Sequence, residues 1–177
     1  QVIKYLEQER GYSKEIINKM GIGYIPSKKE LSNYLKNSNI SPEQTKEIMK
    51  SLGYIGGSHK MILPYHDKDG QVIGLAARNI KHSQDEELAK YMYIKGLSRQ
   101  GSLFNIHAIN SNIKEVTIVE GLLDCLHAKA CGMPNVVALG GTGFNYRQVE
   151  LIKNMGIDKI TLCLDNDKAG QDAAHRI

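Results

Sequence analysis

The last third of the sequence alternates between short apolar runs and amphipathic segments, and this alternation limits the possible folds more than any other feature. Three runs predict strands and three segments predict helices, in the order 116–119, 122–130, 136–139, 145–154, 160–164 and Ala169 onward. A β-α-β-α-β-α order implies a parallel sheet with right-handed crossovers. We therefore predict an α/β fold in which all three strands end at one edge of the sheet.

Acidic residues follow two of these strands. Glu120 comes directly after the first strand, and Asp165 and Asp167 come directly after the third. Ligands of open α/β sheets bind at this edge, and carboxylates crowded there repel one another unless a cation such as Mg²⁺ lies between them. An isolated Asp-x-Asp is most simply a capped strand-to-helix turn. The expected convergence with Glu120 favours a metal site.

The glycines and the acid beside these strands have two interpretations each. Gly121 begins either a plain tight turn or a close approach to a bound group, and the run Gly140-Gly141-Thr142-Gly143 is either a flexible loop or a phosphate cradle. Asp124 lies one helical turn after Glu120. It either orients a metal-bound water or caps the helix, and the sequence leaves both interpretations open.

The first 112 residues have a different pattern, which predicts short helices followed by an antiparallel hairpin. Helices are predicted at 2–10, 13–20, 28–36 and 42–52, strands at 61–66, 71–78 and 90–94, and a loop at 82–89. The last three helices are predicted to begin at the capping residues Ser13, Ser27 and Ser41. The turn Asp67-Lys68-Asp69-Gly70 supplies the positive φ that a hairpin needs. We therefore divide the chain into a small helical and hairpin subdomain, 1–112, and an α/β subdomain, 113–177.

Charge and cysteine content narrow the class of protein. Residues 1–112 contain 16 Lys and Arg against 11 Asp and Glu, a net of +5, whereas residues 113–177 contain 7 against 8, a net of −1. A basic front before clustered carboxylates suits a polyanionic partner and a metal, although a solvated surface explains this charge equally well. The three cysteines are spaced for neither a zinc set nor disulfides, and we expect core thiols.

Two further expectations concern location and completeness. The sequence contains no apolar run of about 18 residues and no secretory signal, so we predict a cytoplasmic protein without membrane contact. The chain begins with Gln and ends shortly after Asp167. We therefore expect a fragment of a longer protein, truncated at its C-terminus.

Together these residues resemble a known family. Glu120-Gly121-x-x-Asp124, Ala138-Leu139-Gly140 and Asp165-x-Asp167-x-Ala169-Gly170 resemble a TOPRIM domain, the metal-binding module shared by bacterial primases, topoisomerases and several nucleases. The front is similar, in order, to the N-terminal half of the RNA polymerase domain of DnaG-type primases. The matching segments are Tyr5-Leu6-x-x-x-Arg10-Gly11, Gly21-Ile22-Gly23-Tyr24-x-Pro26, Met61-Ile62-Leu63-Pro64, Gly70-Gln71-Val72-Ile73-Gly74, Arg78 and Lys90-Tyr91.

The resemblance implies a function and a set of site residues. It implies template-directed synthesis of short RNA primers on single-stranded DNA from ribonucleoside triphosphates, by metal-dependent nucleotidyl transfer. Glu120, Asp165 and Asp167 match the family's catalytic metal ligands for Mg²⁺ or Mn²⁺, with Asp124, Gly121 and Gly140 in support. The family's template- and nucleotide-binding basic positions match Lys60, Arg78 and Lys90. A replicative helicase would bind through regions outside this chain.

The chain departs from the family pattern at one motif and lacks two parts. Gln100-Gly101 replaces a common Lys-Gly pair, for which Arg99 or Lys95 are the candidate substitutes. The family's zinc-binding domain, and with it zinc, is absent, and a later acidic pair would lie beyond Ile177, so weak or no activity is expected of the fragment alone. Competing interpretations are another TOPRIM enzyme, such as a topoisomerase or nuclease, and a non-catalytic module that binds single-stranded DNA.

Overall fold

The computed structural model describes residues 1–53, 55–81, 88–110, 112–141, 143–168 and 170–171. The chain forms two compact units, one of Gln1–Pro64 with Gly74–Leu97 and the other of Tyr65–Ile73 with Ser98–Ile177. The predicted loop at 82–89 and the predicted helix from Ala169 lie mostly outside the described residues. The predicted division after residue 112 stays a prediction.

Short helices dominate the first unit. They are α1 (Val2–Lys4), which continues as a π-helix at Tyr5–Glu9, followed by α2 (Lys14–Lys19), α3 (Lys28–Lys36) and α4 (Pro42–Ser51). Ser13, Ser27 and Ser41 each accept a hydrogen bond from the backbone N–H three residues later, as N-caps do. The capping residues were therefore predicted correctly. The continuous α-helix predicted at 2–10 instead widens after Lys4, where the Arg10 N–H bonds to the Tyr5 carbonyl five residues back.

The chain also forms a four-stranded antiparallel sheet, whose first strand lies between α2 and α3 in sequence and whose other three strands follow α4. Its strands are β1 (Gly23–Tyr24), β2 (His59–His66), β3 (Val72–Asn79) and β4 (Tyr91–Tyr93), in that spatial order. The hairpin turn is closed by the Asp67 N–H, which bonds to the Gln71 carbonyl, and Gly70 has a φ of 82°. The predicted hairpin is confirmed. The two-residue β1 was not predicted, because it is too short to produce an alternating pattern.

A small apolar core holds the first unit together. Ile62 and Ala77 contribute to it from the sheet, and the fully buried Ile55 follows helix α4. Leu52 and Ile25 complete the buried set. Helices α3 and α4 and the sheet therefore share one core, since Leu31, Ile48 and Met92 pack against its buried residues.

The second unit is the predicted α/β module. Its elements are β5 (Glu115–Val119), α5 (Leu122–Ala130), β6 (Val136–Ala138), α6 (Tyr146–Asn154) and β7 (Lys159–Cys163). The strands are parallel in the order β6-β5-β7. Strand β5 is central, with Val116, Ile118 and Val119 buried and the other two residues half-buried. The predicted fold class, an α/β module after an α+β front, is confirmed.

The register of this sheet determines where the strands end. Val119 is the partner of Ala138 in β6 and of Cys163 in β7, so all three strands stop at the same level. Its apolar core includes Val116, Ile118, Val137 and Ile152. No helix in the described part of the chain is long and apolar enough to cross a membrane.

Candidate active site

The ends of β5 and β7 bring the first two predicted acids together. Glu120 follows Val119 and is half-buried, and its Oε1 accepts a hydrogen bond of 3.2 Å from the Asp165 backbone N–H. Asp165 follows β7 and its side chain is exposed. Although 45 residues separate the two acids in sequence, the parallel register therefore places them side by side, as the sequence predicted.

Asp167 and Gly170 shape the turn that follows. Asp167 is exposed, and its Oδ1 accepts a hydrogen bond of 2.8 Å from the Gly170 N–H. Gly170 is buried, and a Cβ there would collide with the Asp165 carbonyl and lie 2.9 Å from Glu120 Oε1. Only glycine therefore allows the turn to pack against both acids. The sequence motif contained this glycine, but the pattern alone did not reveal its steric role.

The supporting residues are positioned by two different kinds of contact. Asp124 is exposed in the first turn of α5, where a negative charge suits the helix, and its carboxylate contacts Gly121. A Cβ on Gly140 would overlap the Tyr65 hydroxyl and lie 3.3 Å from Leu122, and its φ is +70°. Gly140 is thus required by sterics and backbone conformation alike. A Cβ at Gly121 would meet only the flexible Asp124 carboxylate, which can move away, so glycine is less strictly required there.

The donor chemistry of this edge fits a hard divalent cation. Glu120, Asp165 and Asp167 supply carboxylate oxygens, the donors that Mg²⁺ and Mn²⁺ prefer, and the two aspartates are exposed. Glu120 already lies against the Asp165 backbone. Among the described residues, no three Asp, Glu, His or Cys side chains are gathered as a ready-made metal site. The joint role of the three acids as ligands therefore stays a prediction.

Arg78, the basic residue that the sequence favoured first, lies in a stack of tyrosines in the first unit. It is 6% exposed, its Nη1 donates a 2.9 Å hydrogen bond to the Tyr91 hydroxyl, and its guanidinium lies 5.1 Å from the Tyr91 ring centre. The guanidinium also lies 5.9 Å from the centre of the Tyr5 ring, which Arg10 contacts as well. We call Arg10, Tyr5, Arg78 and Tyr91 the tyrosine–arginine stack.

The three predicted basic residues differ in how accessible they are, and the burial of Arg78 in the stack also affects Tyr91. Burial raises the pKa of Tyr91 to about 12, against the opposing effect of the Arg78 charge. The Arg78 Nε is buried and has no hydrogen-bond partner among the described residues. The other two predicted basic residues differ in exposure, since Lys60 on β2 is half-buried and Lys90 before β4 is exposed. Of the three, Lys90 is the most accessible to a ligand.

Arg99 occupies a place beside the glycine loop in the second unit. Its Nη1 donates a 3.0 Å hydrogen bond to the Gly140 carbonyl, while Gln100 is exposed. Arg99 is thus the cation that the structure places at this loop, next to the position where the family pattern has lysine. The sequence named Arg99 only as one of two candidates, because a turn of three residues leaves side-chain direction undetermined.

An acidic strand edge in a three-stranded parallel sheet, in a chain that also contains a basic helical and hairpin unit, is typical of a class of nucleic-acid enzymes. Residues 1–109 match the family described as "DNA primase catalytic core, N-terminal domain", and residues 117–177 match "Toprim-like". The chain therefore belongs to the catalytic-core family of DnaG-type DNA primases.

Individual relatives agree with this assignment. A DNA primase of Chlamydia pneumoniae is 29% identical over 184 residues, which cover 99% of this chain and 30% of that protein. The crystal structure of Aquifex aeolicus primase, with zinc-binding and RNA polymerase domains, is 26% identical, with a TM-score of 0.78 over 96% of this chain and 44% of that one.

A third similar structure contains a nucleic acid. It is described as the DnaG primase catalytic domain bound to ssDNA, and it is 25% identical with a TM-score of 0.75 over 99% of this chain and 57% of that chain. The chain thus spans roughly a third of the length of the Chlamydia pneumoniae primase and about half of the length of these two solved chains.

Proposed function

We propose that the protein containing this chain synthesises short RNA primers on a single-stranded DNA template. The observation that carries the proposal is the joining of two strand ends by the hydrogen bond from the Asp165 N–H to Glu120. The proposal also draws on the family match and on relatives that are named DNA primases. The same acids would also serve a topoisomerase or a nuclease, so the match of residues 1–109 to the primase N-terminal domain is what favours primer synthesis over the other interpretations.

The acids would hold Mg²⁺ or Mn²⁺ through the carboxylates of Glu120, Asp165 and Asp167. When bound, such a cation neutralises the charge that develops on the phosphates during nucleotidyl transfer. The protein itself contributes position, because the half-buried Glu120 is fixed by the Asp165 backbone and the turn is fixed by Gly170. Asp124 would orient neighbouring groups from the first turn of α5.

The basic residues would bind template and nucleotides. Lys90 is exposed and available for phosphate contacts, and Lys60 is partly available. Arg78 would act from within the tyrosine–arginine stack, where it holds the Tyr91 hydroxyl at 2.9 Å. The RNA primer and ribonucleoside triphosphates complete the proposed set of ligands. A helicase partner that binds outside this chain and a cytoplasmic location also belong to the proposal.

Primer synthesis by the parent protein tests this function. Asp165→Asn and Asp167→Asn should each lower the rate of RNA synthesis on single-stranded DNA by at least about 100-fold, because a lost metal ligand removes several kcal/mol of transition-state stabilisation. The matched control is Asp158→Asn, an exposed acid before β7 whose backbone N–H bonds to Lys114. A loss below about tenfold in the two variants would contradict metal-dependent catalysis at these acids.

A further inference from the structure

The last turn of helix α5 carries an imidazole and a thiol side by side. His127 lies on the helix, and Cys131 follows four positions later as its C-terminal cap, so the two residues share one face. Both are exposed, and the His127 Nε2 lies 3.8 Å from the Cys131 Sγ. The predicted core position of the cysteines is thus confirmed for Cys125 and wrong for Cys131 and Cys163, which are exposed.

The separation of these two donor atoms suits a single bound ion. Zn²⁺ binds thiolate sulfur at about 2.3 Å and imidazole nitrogen at about 2.0 Å, in a tetrahedral arrangement. These values place sulfur and nitrogen about 3.6 Å apart around one ion. Because the observed separation is 3.8 Å, His127 and Cys131 need only a small movement to bind the same Zn²⁺.

The charged residues on the same helix are directed elsewhere. The Lys129 Nζ donates a 2.8 Å hydrogen bond to the Asn105 Oδ1, and the Asp124 carboxylate contacts Gly121 at the start of the helix. In the part of the chain that the structure describes, no third acid, histidine or cysteine is gathered with the pair. A bound ion would therefore have two protein ligands, with water in its remaining positions.

The pair is distinct from the acidic strand edge in both position and chemistry. Helix α5 begins just after Glu120, and its nine residues separate the pair from that edge by about 13 Å. Carboxylate oxygens favour Mg²⁺ and Mn²⁺, whereas sulfur and imidazole nitrogen favour Zn²⁺. A cation beside Cys131 also has the charge that the C-terminus of a helix attracts. The two places therefore select different ions.

We propose that His127 and Cys131 form a Zn²⁺ site at the C-terminal end of α5. The thiol proton passes to solvent as the Cys131 sulfur binds the ion, and His127 binds through Nε2 as a neutral imidazole. With only two protein ligands the site is reversible and fills when zinc is available. The bound ion links two residues one turn apart and stabilises the folded chain. This inference does not depend on the proposed primer synthesis.

Titration of the chain with Zn²⁺, and with Co²⁺ as a spectroscopic substitute, tests the site. Co²⁺ bound to a thiolate gives a sulfur-to-metal charge-transfer band in the near ultraviolet. Cys131→Ser should abolish this band, and Cys131→Ser and His127→Ala should each weaken Zn²⁺ binding at least about tenfold, because groups that merely orient a metal ligand already contribute 10- to 100-fold. Cys131→His should lose the band but keep Zn²⁺ binding, since histidines four positions apart on a helix bind zinc.

Cys163→Ser and His107→Asn are the matched controls, because each removes an exposed thiol or imidazole that lies outside α5. Both should keep the cobalt band and the Zn²⁺ affinity of the unaltered chain, and a large excess of Mg²⁺ should not displace the zinc. Circular dichroism checks that every variant is folded.

Two results would overturn the site. One is the absence of a cobalt–thiolate band in the unaltered chain, or equal Zn²⁺ affinity in the unaltered chain, Cys131→Ser and His127→Ala. The other is loss of the band in Cys163→Ser, which would assign the thiophilic ion to the end of β7. Neither result bears on primer synthesis, which the Asp165→Asn variant tests separately.

Discussion

The acidic strand edge and the tyrosine–arginine stack are fixed in opposite ways. At the edge, main-chain geometry positions exposed carboxylates, through the register of the parallel strands and the backbone of Asp165 and Gly170. In the stack, side chains position a buried cation, since Arg78 is 6% exposed and lies against Tyr5 and Tyr91. Charged residues that are proposed for one function therefore need not be held in place in the same way.

Replacement of Gly170 by alanine should have the largest effect of the variants that leave every acid intact. The added Cβ would collide with the Asp165 carbonyl and crowd Glu120, so the turn must shift. We expect a loss of about 2 kcal/mol of stability and a loss of primer synthesis comparable to that of Asp165→Asn. Urea unfolding of the chain and primer synthesis by the parent protein measure the two effects.

Gly143→Ala is the control for that variant, because a Cβ at Gly143 meets no atom within 4 Å. It should leave the free energy of unfolding near its original value. If Gly170→Ala behaved like Gly143→Ala, main-chain packing would not be what holds the acids in place.

Arg78→Ala should cost about 2 to 3 kcal/mol of stability, because it removes a buried side chain, its contacts with two rings and its hydrogen bond to Tyr91. Arg78→Lys should recover only part of this, since an ammonium group lacks the planar face that stacks on tyrosine. Thermal unfolding of the chain measures both variants.

Lys90→Gln is the informative contrast to Arg78, because Lys90 is exposed. It should leave stability unchanged but lower the salt dependence of single-stranded DNA binding by about one unit of slope. An unchanged slope would remove Lys90 from the template surface. A stability loss equal to that of Arg78→Ala would mean that Lys90 stabilises the fold as much as the buried Arg78 does.

Tyr91→Phe should cost about 1 kcal/mol, because it removes the hydroxyl that accepts from Arg78. In the folded chain the Tyr91 hydroxyl has a pKa of about 12, above the ordinary value of 10.0, so the unfolded chain loses this proton first as pH rises. Stability should therefore fall between about pH 10 and 12, and less so in the variant. Ultraviolet titration of the tyrosines should show a late-titrating component that decreases in Tyr91→Phe, whereas an unchanged titration would contradict the assignment.

A smaller effect is expected from a histidine pair in the second unit. His107 and His66 lie with ring centres 4.1 Å apart, and burial, the His66 charge and the Lys129 charge lower the pKa of His107 to about 4. The unfolded chain therefore binds this proton first as pH falls, and stability should decrease from about pH 6.5 toward pH 4. Solvent screening at the exposed His107 keeps the effect small.

His107→Asn should flatten that decrease, measured as the urea midpoint between pH 7 and 4. His127→Asn, an exposed histidine on α5, is the control and should leave the slope as it is. An equal slope in the chain and in the His107 variant would show that the pair contributes nothing to acid sensitivity.

The strands and helices of the second unit could be predicted in detail because the pattern of apolar residues that defines them is local and periodic. Apolar runs with a β-α alternation define the strands, and parallel order then forces Glu120 and Asp165 to one edge. Helix starts at Ser27 and Ser41 were equally visible, since a capping side chain acts on a residue three positions later. In each case a short segment determines its own structure.

The features that escaped prediction depend on contacts between distant residues. Tyr5 and Arg78 are 73 positions apart, and no periodicity connects them, so the stack could not be inferred. The position of Arg99 beside Gly140 depends likewise on how a turn packs against the glycine loop. The role of Gly170 is steric, and it becomes visible only once the Asp165 carbonyl has a position.

Direct binding of Mn²⁺ to the chain, followed by electron paramagnetic resonance, tests whether the acidic strand edge is a metal site. The unaltered chain should bind Mn²⁺, Glu120→Gln and Asp165→Asn should each weaken binding at least about tenfold, and Asp158→Asn should bind as the unaltered chain does. Equal affinity in all four proteins would contradict the claim that Glu120 and Asp165 form a metal site.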